Sequence, residues 1–210
     1  MLELFVSAFI TLFVVIDPPG CAPIYAGLSA DASPRQQRAM AVKAVLVASL
    51  ILLGFALFGK ELLGALHIEL DSFRIAGGIM LFFIAIEMVF EKRTRRREKR
   101  AEKIIAHNAQ TPEVEDVSIF PMAMPMLAGP GSIATVMLLM SGASGERMVV
   151  VLVALAAVMA VALAALLAAA PLIRLLGVSV EAAITRLLGV LLAALAAQYV
   201  IDGLKGSFGI

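Results

Sequence analysis

Two short stretches of this 210-residue chain combine residue types that could bind a polar solute, although apolar sequence surrounds both of them. The first reads DPPGC (residues 17–21) and the second reads GPGS (residues 129–132). Proline has no backbone N–H and glycine has no side chain, so each stretch is expected to break a helix and free backbone groups. New half-helices are expected to start after these breaks, from about Cys21 and from about Ser132. Such a start presents free N–H groups and partial positive charge, which favour an anion such as a carboxylate.

The one acid expected deep in this apolar sequence is Asp17. Carboxylates inside membranes are costly and usually functional. Loss of hydration favours the neutral form, so Asp17 is the candidate residue for carrying a coupling proton. It could equally bind a solute ammonium group or cap its own helix. The full set of candidate binding residues is Asp17, Pro18, Pro19, Gly20 and Cys21 at the first break, and Gly129, Pro130, Gly131, Ser132 and Thr135 at the second.

The elements that position these residues are membrane spans. The chain is 61% hydrophobic, with a mean hydropathy of +0.99, and its apolar residues form long blocks rather than core-like intervals. A transmembrane helix needs about 20 apolar residues. The sequence therefore predicts an all-α polytopic membrane protein with six spans, the first and fourth interrupted near the bilayer midplane. Their expected positions are 2–30, 36–59, 72–91, 117–142, 147–172 and 180–204. A capping box of Ser33 and Gln36 is expected to start the second span.

A strongly basic run separates the third and fourth spans and sets the expected orientation. Residues 92–103 contain eight Lys and Arg, which places this loop in the cytoplasm and both termini on the other side. The first apolar stretch has no basic region before it, so a retained span is expected rather than a cleaved signal. The Ala-rich fifth span is expected to serve close packing or a homo-oligomer contact.

The six spans divide into halves with a trace of internal repetition. Residues 74–77 (RIAG) match residues 186–189 (RLLG) at an offset of 112, and the two Pro-Gly pairs match at an offset of 111. Three spans per half force the second half to enter the membrane from the opposite side, which gives an inverted repeat. The predicted organisation is a first repeat at 1–91, a basic linker at 92–116 and an inverted repeat at 117–210. The arginines of the two motifs are expected to be anchors that pair with nearby acids or reach the interface.

Four longer stretches carry a family resemblance that covers nearly the whole chain. They read LFVVIDPPGCAPIY, FRIAGGIMLFFIAI, FPMAMPMLAGPGSIATV and RLLGVLLAALAAQYVIDGL. The chain resembles the MarC family of six-span inner-membrane proteins, which is grouped with amino-acid exporters. The resemblance implies a transporter in the bacterial inner membrane, and the residues it marks at 17–20 and 129–131 coincide with the two breaks.

The leading hypothesis is a secondary transporter that moves a small zwitterionic solute, such as a neutral amino acid, by alternating access around a midplane site. A proton or sodium ion could couple transport. The alternative is a passive small-solute channel. A catalytic role is not expected, because a single deep acid without a partner histidine does not form an acid–base pair. The expected partners are the lipid bilayer and the solute. No nucleic acid, cofactor or metal is expected. Substrate identity, direction and coupling ion stay open.

Overall fold

The computed structural model describes residues 1–90, 116–141 and 143–209, without side-chain detail for residues 170 and 172–182. Across the described residues the chain is helical and contains no strand, which confirms the all-α prediction. It forms α1 (Leu2–Ile16), α2 (Pro18–Leu28), α3 (Pro34–Ala65), α4 (Leu70–Val89), an irregular stretch that we call the proline segment (Ser118–Leu127), α5 (Pro130–Ser141), α6 (Glu146–Leu167) and α7 (Ala169–Phe208).

Five helical stretches are long and apolar enough to cross a membrane. They are Leu2–Leu28, Pro34–Ala65, Leu70–Val89, Glu146–Leu167 and Ala183–Phe208. The proline segment and α5 give a sixth if they are counted as one span with a bend of 53°. The prediction of a polytopic membrane protein is therefore confirmed. The basic run at 92–103 and all but the last residue of the predicted linker at 92–116 lie outside the described residues.

The second span begins as predicted and ends later than predicted. Ser33 caps α3: its Oγ accepts from the Gln36 N–H at 3.4 Å, and the Gln36 Oε1 accepts from the Ser33 N–H at 2.9 Å. The helix then continues to Ala65 instead of residue 59. At 1.5 Å per residue its 32 residues extend about 48 Å, which exceeds a hydrocarbon core of about 30 Å. One or both ends of α3 therefore reach the polar interface.

The turn expected between the fifth and sixth spans lies elsewhere in the structure. Residues 172–180 are helical, and the chain instead passes from α6 to α7 at Ala168. Pro171 is the third residue of α7, within the first turn of a helix, where the missing N–H of proline costs no helical hydrogen bond. The proline therefore marks the start of a helix and not the end of one.

The broken first span is the most deeply buried of these stretches. In its most apolar window 56% of the residues are buried, against 22–39% in the other four. α1 packs against α5 and α6, while α2 packs against α6 and α7. Surrounded in this way, the break between α1 and α2 is covered by protein, which is the condition under which irregular backbone is tolerated in a membrane.

The third and last spans form the most extensive helix pair and run antiparallel. Gly78 of α4 lies against the Ala196 carbonyl and the Val200 side chain of α7, and Gly189 of α7 lies against Met88 of α4. Residue numbers thus rise along one helix as they fall along the other. Because glycine has no side chain, the two backbones approach closely at these points.

Candidate functional site

The first break consists of a single residue. Asp17 has φ 59° and ψ 62°, in the left-handed region, which aspartate tolerates better than most residues. Its backbone N–H donates to the Phe13 carbonyl at 2.9 Å, and its carbonyl accepts from the Cys21 N–H at 3.1 Å. The backbone hydrogen bonds of α1 therefore end, and those of α2 begin, at this one residue.

The Asp17 carboxylate closes the start of α2. The side chain is 2% exposed, and its Oδ1 accepts from the Gly20 N–H at 3.2 Å. The sequence led us to expect a half-helix from about Cys21, but α2 begins at Pro18 because proline is well tolerated in a first helical turn. Neither Pro18 nor Pro19 carries an N–H, and the next donor, the Gly20 N–H, is already bonded to the Asp17 carboxylate. The first turn of α2 thus already holds a carboxylate, and that carboxylate belongs to the protein.

The second break is longer and built differently. Phe120 and Met124 of the proline segment have extended dihedrals because each precedes a proline. Gly129 then approaches the backbone closely: a methyl group in its place would lie 2.5 Å from the Pro125 carbonyl oxygen. α5 begins at Pro130 rather than near Ser132 as expected.

The start of α5 keeps donors that the start of α2 has lost. Gly129, which precedes the helix, has no side chain that could cap it. The N–H groups of Gly131 and Ser132 belong to the first turn, so neither has a partner within the helix. Gly131 and Ser132 are both buried. Of the two breaks, the second therefore offers a helix N-terminus that can receive an anion.

The fold brings the two breaks together through apolar side chains. A methyl group at Gly131 would lie 3.5 Å from the Val15 Cγ1 and 2.3 Å from the Ile84 Cδ1. Val15 lies two residues before Asp17, so the chain just before the first break packs on the beginning of α5. The space beside Gly131 is filled in this conformation. Sequence reasoning missed Val15 and Ile84, since nothing distinguishes them from other apolar residues of a span.

The other residues singled out from the sequence make hydrogen bonds or ion pairs within the protein. Thr135 is fully buried and its hydroxyl donates to the Gly131 carbonyl at 2.8 Å, so it fixes the first turn of α5. Cys21 is also buried, and its Sγ lies 3.6 Å from the Ile16 carbonyl oxygen, to which it donates. Arg74 pairs with Asp71 at 2.7 Å, as expected for an anchor.

Cavities lined by described residues open at opposite ends of the bundle. The one that we call the large cavity has a volume of about 500 Å³ and lies where α3 ends, between α3, α5 and the residues that lead into α6. A cavity of about 180 Å³ lies where α3 begins, lined by residues that include Tyr25, Gln37 and Arg38. Beside it, the Tyr25 hydroxyl donates to the Gln37 carbonyl and the Gln37 Nε2 donates to the Ser29 carbonyl at 2.8 Å, which ties α2 to α3.

An ion pair ties α3 to the approach of the proline segment. The Lys43 Nζ lies 2.6 Å from the Asp116 Oδ2. The hydrogen bond from Lys43 holds the pKa of the Asp116 carboxyl below its usual range. Both side chains are about half exposed, with 49% of each accessible, so the pair is a surface contact and its energy is small.

Comparison with known proteins places this sequence in a defined family. Residues 2–208 match the family described as MarC family integral membrane protein. A UPF0056 membrane protein of Methanocaldococcus jannaschii is 35% identical over 213 residues, covering 98% of each chain. The UPF0056 membrane protein YvbG of Bacillus subtilis is 33% identical over 209 residues, covering 99% of this chain and 97% of its own. The UPF0056 inner membrane protein YhgN of Escherichia coli K12 is 32% identical over 200 residues, covering 95% of each chain. No solved structure matches the chain.

Proposed function

The chain belongs to the MarC family of integral membrane proteins, and we propose that it is a secondary transporter for a small zwitterionic solute, a neutral amino acid. In this proposal it has no catalytic role and resides in a bacterial inner membrane, the location named for its E. coli relative. Its termini lie on the non-cytoplasmic side, and the basic run at 92–103 lies in the cytoplasm.

One observation carries the proposal: the two helix breaks meet inside the protein, and a buried acid forms one of them. Val15 packs on Gly131, and Asp17 is 2% exposed in a left-handed conformation. Broken helices that meet in the interior of a membrane protein are typical of transporter binding sites. Unusual backbone conformations likewise concentrate at functional sites.

The asymmetry between the two breaks suits a zwitterion. The solute carboxylate would accept from the N–H groups of Gly131 and Ser132, which have no partners within α5. The Asp17 carboxylate, with one oxygen held by the Gly20 N–H, would receive the solute ammonium group. Pro18, Pro19 and Cys21 shape the acidic side of the site, while Gly129, Pro130 and Thr135 shape the donor side. A solute with both charges complements both sides at once, whereas a simple anion would be repelled by the negative charge of Asp17.

Alternating access follows from an inverted repeat, with the two halves rocking around the breaks. The antiparallel pairing of α4 with α7 supports this arrangement, because α4 ends the first half and α7 ends the second. Cavities at opposite ends of the bundle, with packed side chains beside Gly131, are consistent with a closed state between the two open ones. Filled space at the breaks favours such a carrier over a permanently open channel. Protonation of Asp17 during the cycle would couple transport to a proton gradient; sodium is the other candidate ion.

Transport by purified protein in lipid vesicles tests the proposal. We expect saturable uptake of a neutral amino acid, driven by a proton or sodium gradient and accelerated by unlabelled amino acid trapped inside the vesicle. Uptake that rises linearly with concentration and shows no such acceleration would identify a channel. Uptake equal to that of protein-free vesicles across all neutral amino acids would overturn the transporter proposal itself. Empty vesicles and vesicles containing an unrelated membrane protein serve as controls.

A further inference from the structure

The large cavity is built from two kinds of surface. Its walls include the apolar side chains of Phe55 and Leu63 on α3 and of Met137 and Met140 on α5, while Lys60 and Glu61 line it where α3 approaches its end. Its volume of about 500 Å³ lies within the range of small-molecule sites. An apolar wall with a few charged groups at one side is the usual composition of such a site.

The charges beside the apolar wall match both ends of a zwitterion. The Lys60 ammonium can pair with a solute carboxylate, and the Glu61 carboxylate can pair with a solute ammonium group. Two helices also end at this cavity, α3 at Ala65 and α5 at Ser141, and helix C-termini favour positive charge. The apolar wall is left for the solute side chain. Methionine suits such a wall, since its flexible thioether adapts to apolar groups of different shapes.

One wall of the large cavity belongs to the helix that begins at the second break. Met137 lies across Gly59 of α3: a methyl group at Gly59 would lie 2.8 Å from the Met137 Cγ and 3.0 Å from its Cε. Met137 is on the same helix as Gly131, six residues further along, which is about 9 Å of helix. Of the α5 residues that line the large cavity, Met137 therefore lies nearest to the N-terminus of that helix.

We propose that the large cavity is an access site of the transporter, which selects amino acids with a large apolar side chain, such as leucine, before the solute passes Met137 to the breaks. This inference rests on the proposed function. It narrows the substrate class, because the charges at 60–61 hold the zwitterion while the side chain displaces water from apolar walls. Glycine and alanine bury little of this wall and bind the access site weakly.

Two glycines of α3 make a matched test. A side chain at Gly64, which lines the cavity, or at Gly54, which does not, would meet no atom within 4 Å of its Cβ. We expect Gly64→Phe to fill the cavity and raise the KM for leucine uptake about tenfold or more, the scale of a buried leucine side chain. We expect Gly54→Phe to change it less than about twofold, since only the first variant obstructs the cavity.

A labelling version of the test does not depend on folding of the bulky variants. Gly64→Cys and Gly54→Cys are purified in the folded state, and each is treated with benzyl methanethiosulfonate. The native Cys21 is 0% exposed and is spared. We expect the reagent to raise the KM for leucine only in Gly64→Cys, and to affect glycine uptake less.

The outcomes separate this inference from the proposed function. Vesicles with wild-type protein that take up no amino acid overturn the proposed function. Wild-type protein that transports leucine, with equal KM values in the modified Gly64 and Gly54 variants, overturns the access site alone. A wild-type KM for glycine as low as that for leucine overturns the side-chain selectivity.

Discussion

The Asp17 carboxylate accepts a hydrogen bond from the backbone N–H of Gly20 at 3.2 Å, so the acid at the first break also caps the helix that follows it. A methyl group at Gly20 would lie 2.4 Å from the Asp17 Oδ2. The carboxylate thus occupies the space that a side chain at residue 20 would need. The glycine and the acid depend on each other, which makes their coupling measurable.

Gly20→Ala should destabilise the wild-type protein and not the Asp17→Gly variant. In the wild type the new methyl group displaces the capping carboxylate, at a cost of about 1 kcal/mol. Without Asp17 that clash is absent, and alanine is favoured over glycine in a helix by up to about 1 kcal/mol. Thermal unfolding of the four proteins of this cycle in detergent measures the coupling. Equal effects of Gly20→Ala in both backgrounds would contradict the contact.

Substitutions of Asp17 should separate its capping role from its charge. Asparagine can cap a helix and tolerates left-handed dihedrals, and glycine costs only a few tenths of a kcal/mol at a cap, so both variants should fold. Alanine can neither cap the helix nor readily adopt left-handed dihedrals, so Asp17→Ala should unfold at the lowest temperature of the three variants. We expect Asp17→Asn to retain the fold and lose proton dependence of uptake. Uptake by Asp17→Asn that responds to a proton gradient as the wild type does would exclude Asp17 as the coupling residue.

The glycines that flank Pro130 should differ in their tolerance of alanine. At Gly129 the new methyl group meets the Pro125 carbonyl oxygen at 2.5 Å, and because this is backbone we expect a loss of about 1–3 kcal/mol. At Gly131 it meets the end of the Ile84 side chain, which can rotate away, so the loss should be smaller. Ile84→Val removes that terminal methyl group and should restore the stability of Gly131→Ala. Equal melting temperatures for the two alanine variants would contradict the packing.

Alanine at Gly78 should loosen the pair of α4 and α7. Its methyl group would lie 2.8 Å from the Ala196 carbonyl oxygen and 3.0 Å from the Val200 backbone N, so the helices must separate, at a cost of about 1–3 kcal/mol. Gly54→Ala is the control, because its methyl group meets no atom within 4 Å and its helix propensity improves. The melting temperature should fall for Gly78→Ala and hold or rise for Gly54→Ala. A similar change in both would argue against the close approach.

The Lys43–Asp116 pair should contribute a small, salt-sensitive and acid-sensitive stability. The folded pKa of Asp116 is lower than its ordinary value of 3.8, so the contribution is complete above that value and is lost as the pH falls through the folded pKa. Exposure limits the coupling to less than about 1 kcal/mol. A double-mutant cycle of Lys43→Met and Asp116→Asn, followed by thermal unfolding, should show coupling at neutral pH that weakens as the solution is acidified below the ordinary Asp116 pKa of 3.8 and in 1 M salt. Coupling that persists unchanged in 1 M salt would contradict a surface pair.

Local features of this fold followed from the sequence because their causes are local. Blocks of apolar residues set the spans, and the side chains of Ser33 and Gln36 set the start of α3. The prolines located both breaks to within a few residues. The errors were also local: α2 and α5 begin at Pro18 and Pro130, because a proline that ends one helix can start the next.

The contacts between spans could not be predicted in the same way. Val15 and Ile84 are ordinary apolar residues until the fold sets them against Gly131. The large cavity depends on where α3, α5 and the start of α6 meet, and the pattern of apolar residues does not predict where helices meet. The prolines also did not indicate that the Asp17 carboxylate accepts from the Gly20 N–H, because this hydrogen bond depends on the left-handed dihedrals of Asp17. Under the proposed function, that contact assigns the solute carboxylate to the second break.

The single-residue break has one further consequence. Asp17 precedes Pro18, and proline disfavours the right-handed helical conformation in the residue before it. Merging α1 and α2 into one regular helix is therefore disfavoured in any state of the protein, because Asp17 would have to adopt that conformation. Under the proposed function, an arriving solute would not have to unwind a helix to reach the acid. The backbone of the first break would then be preorganised, and affinity would not be diminished by the free energy of local unfolding.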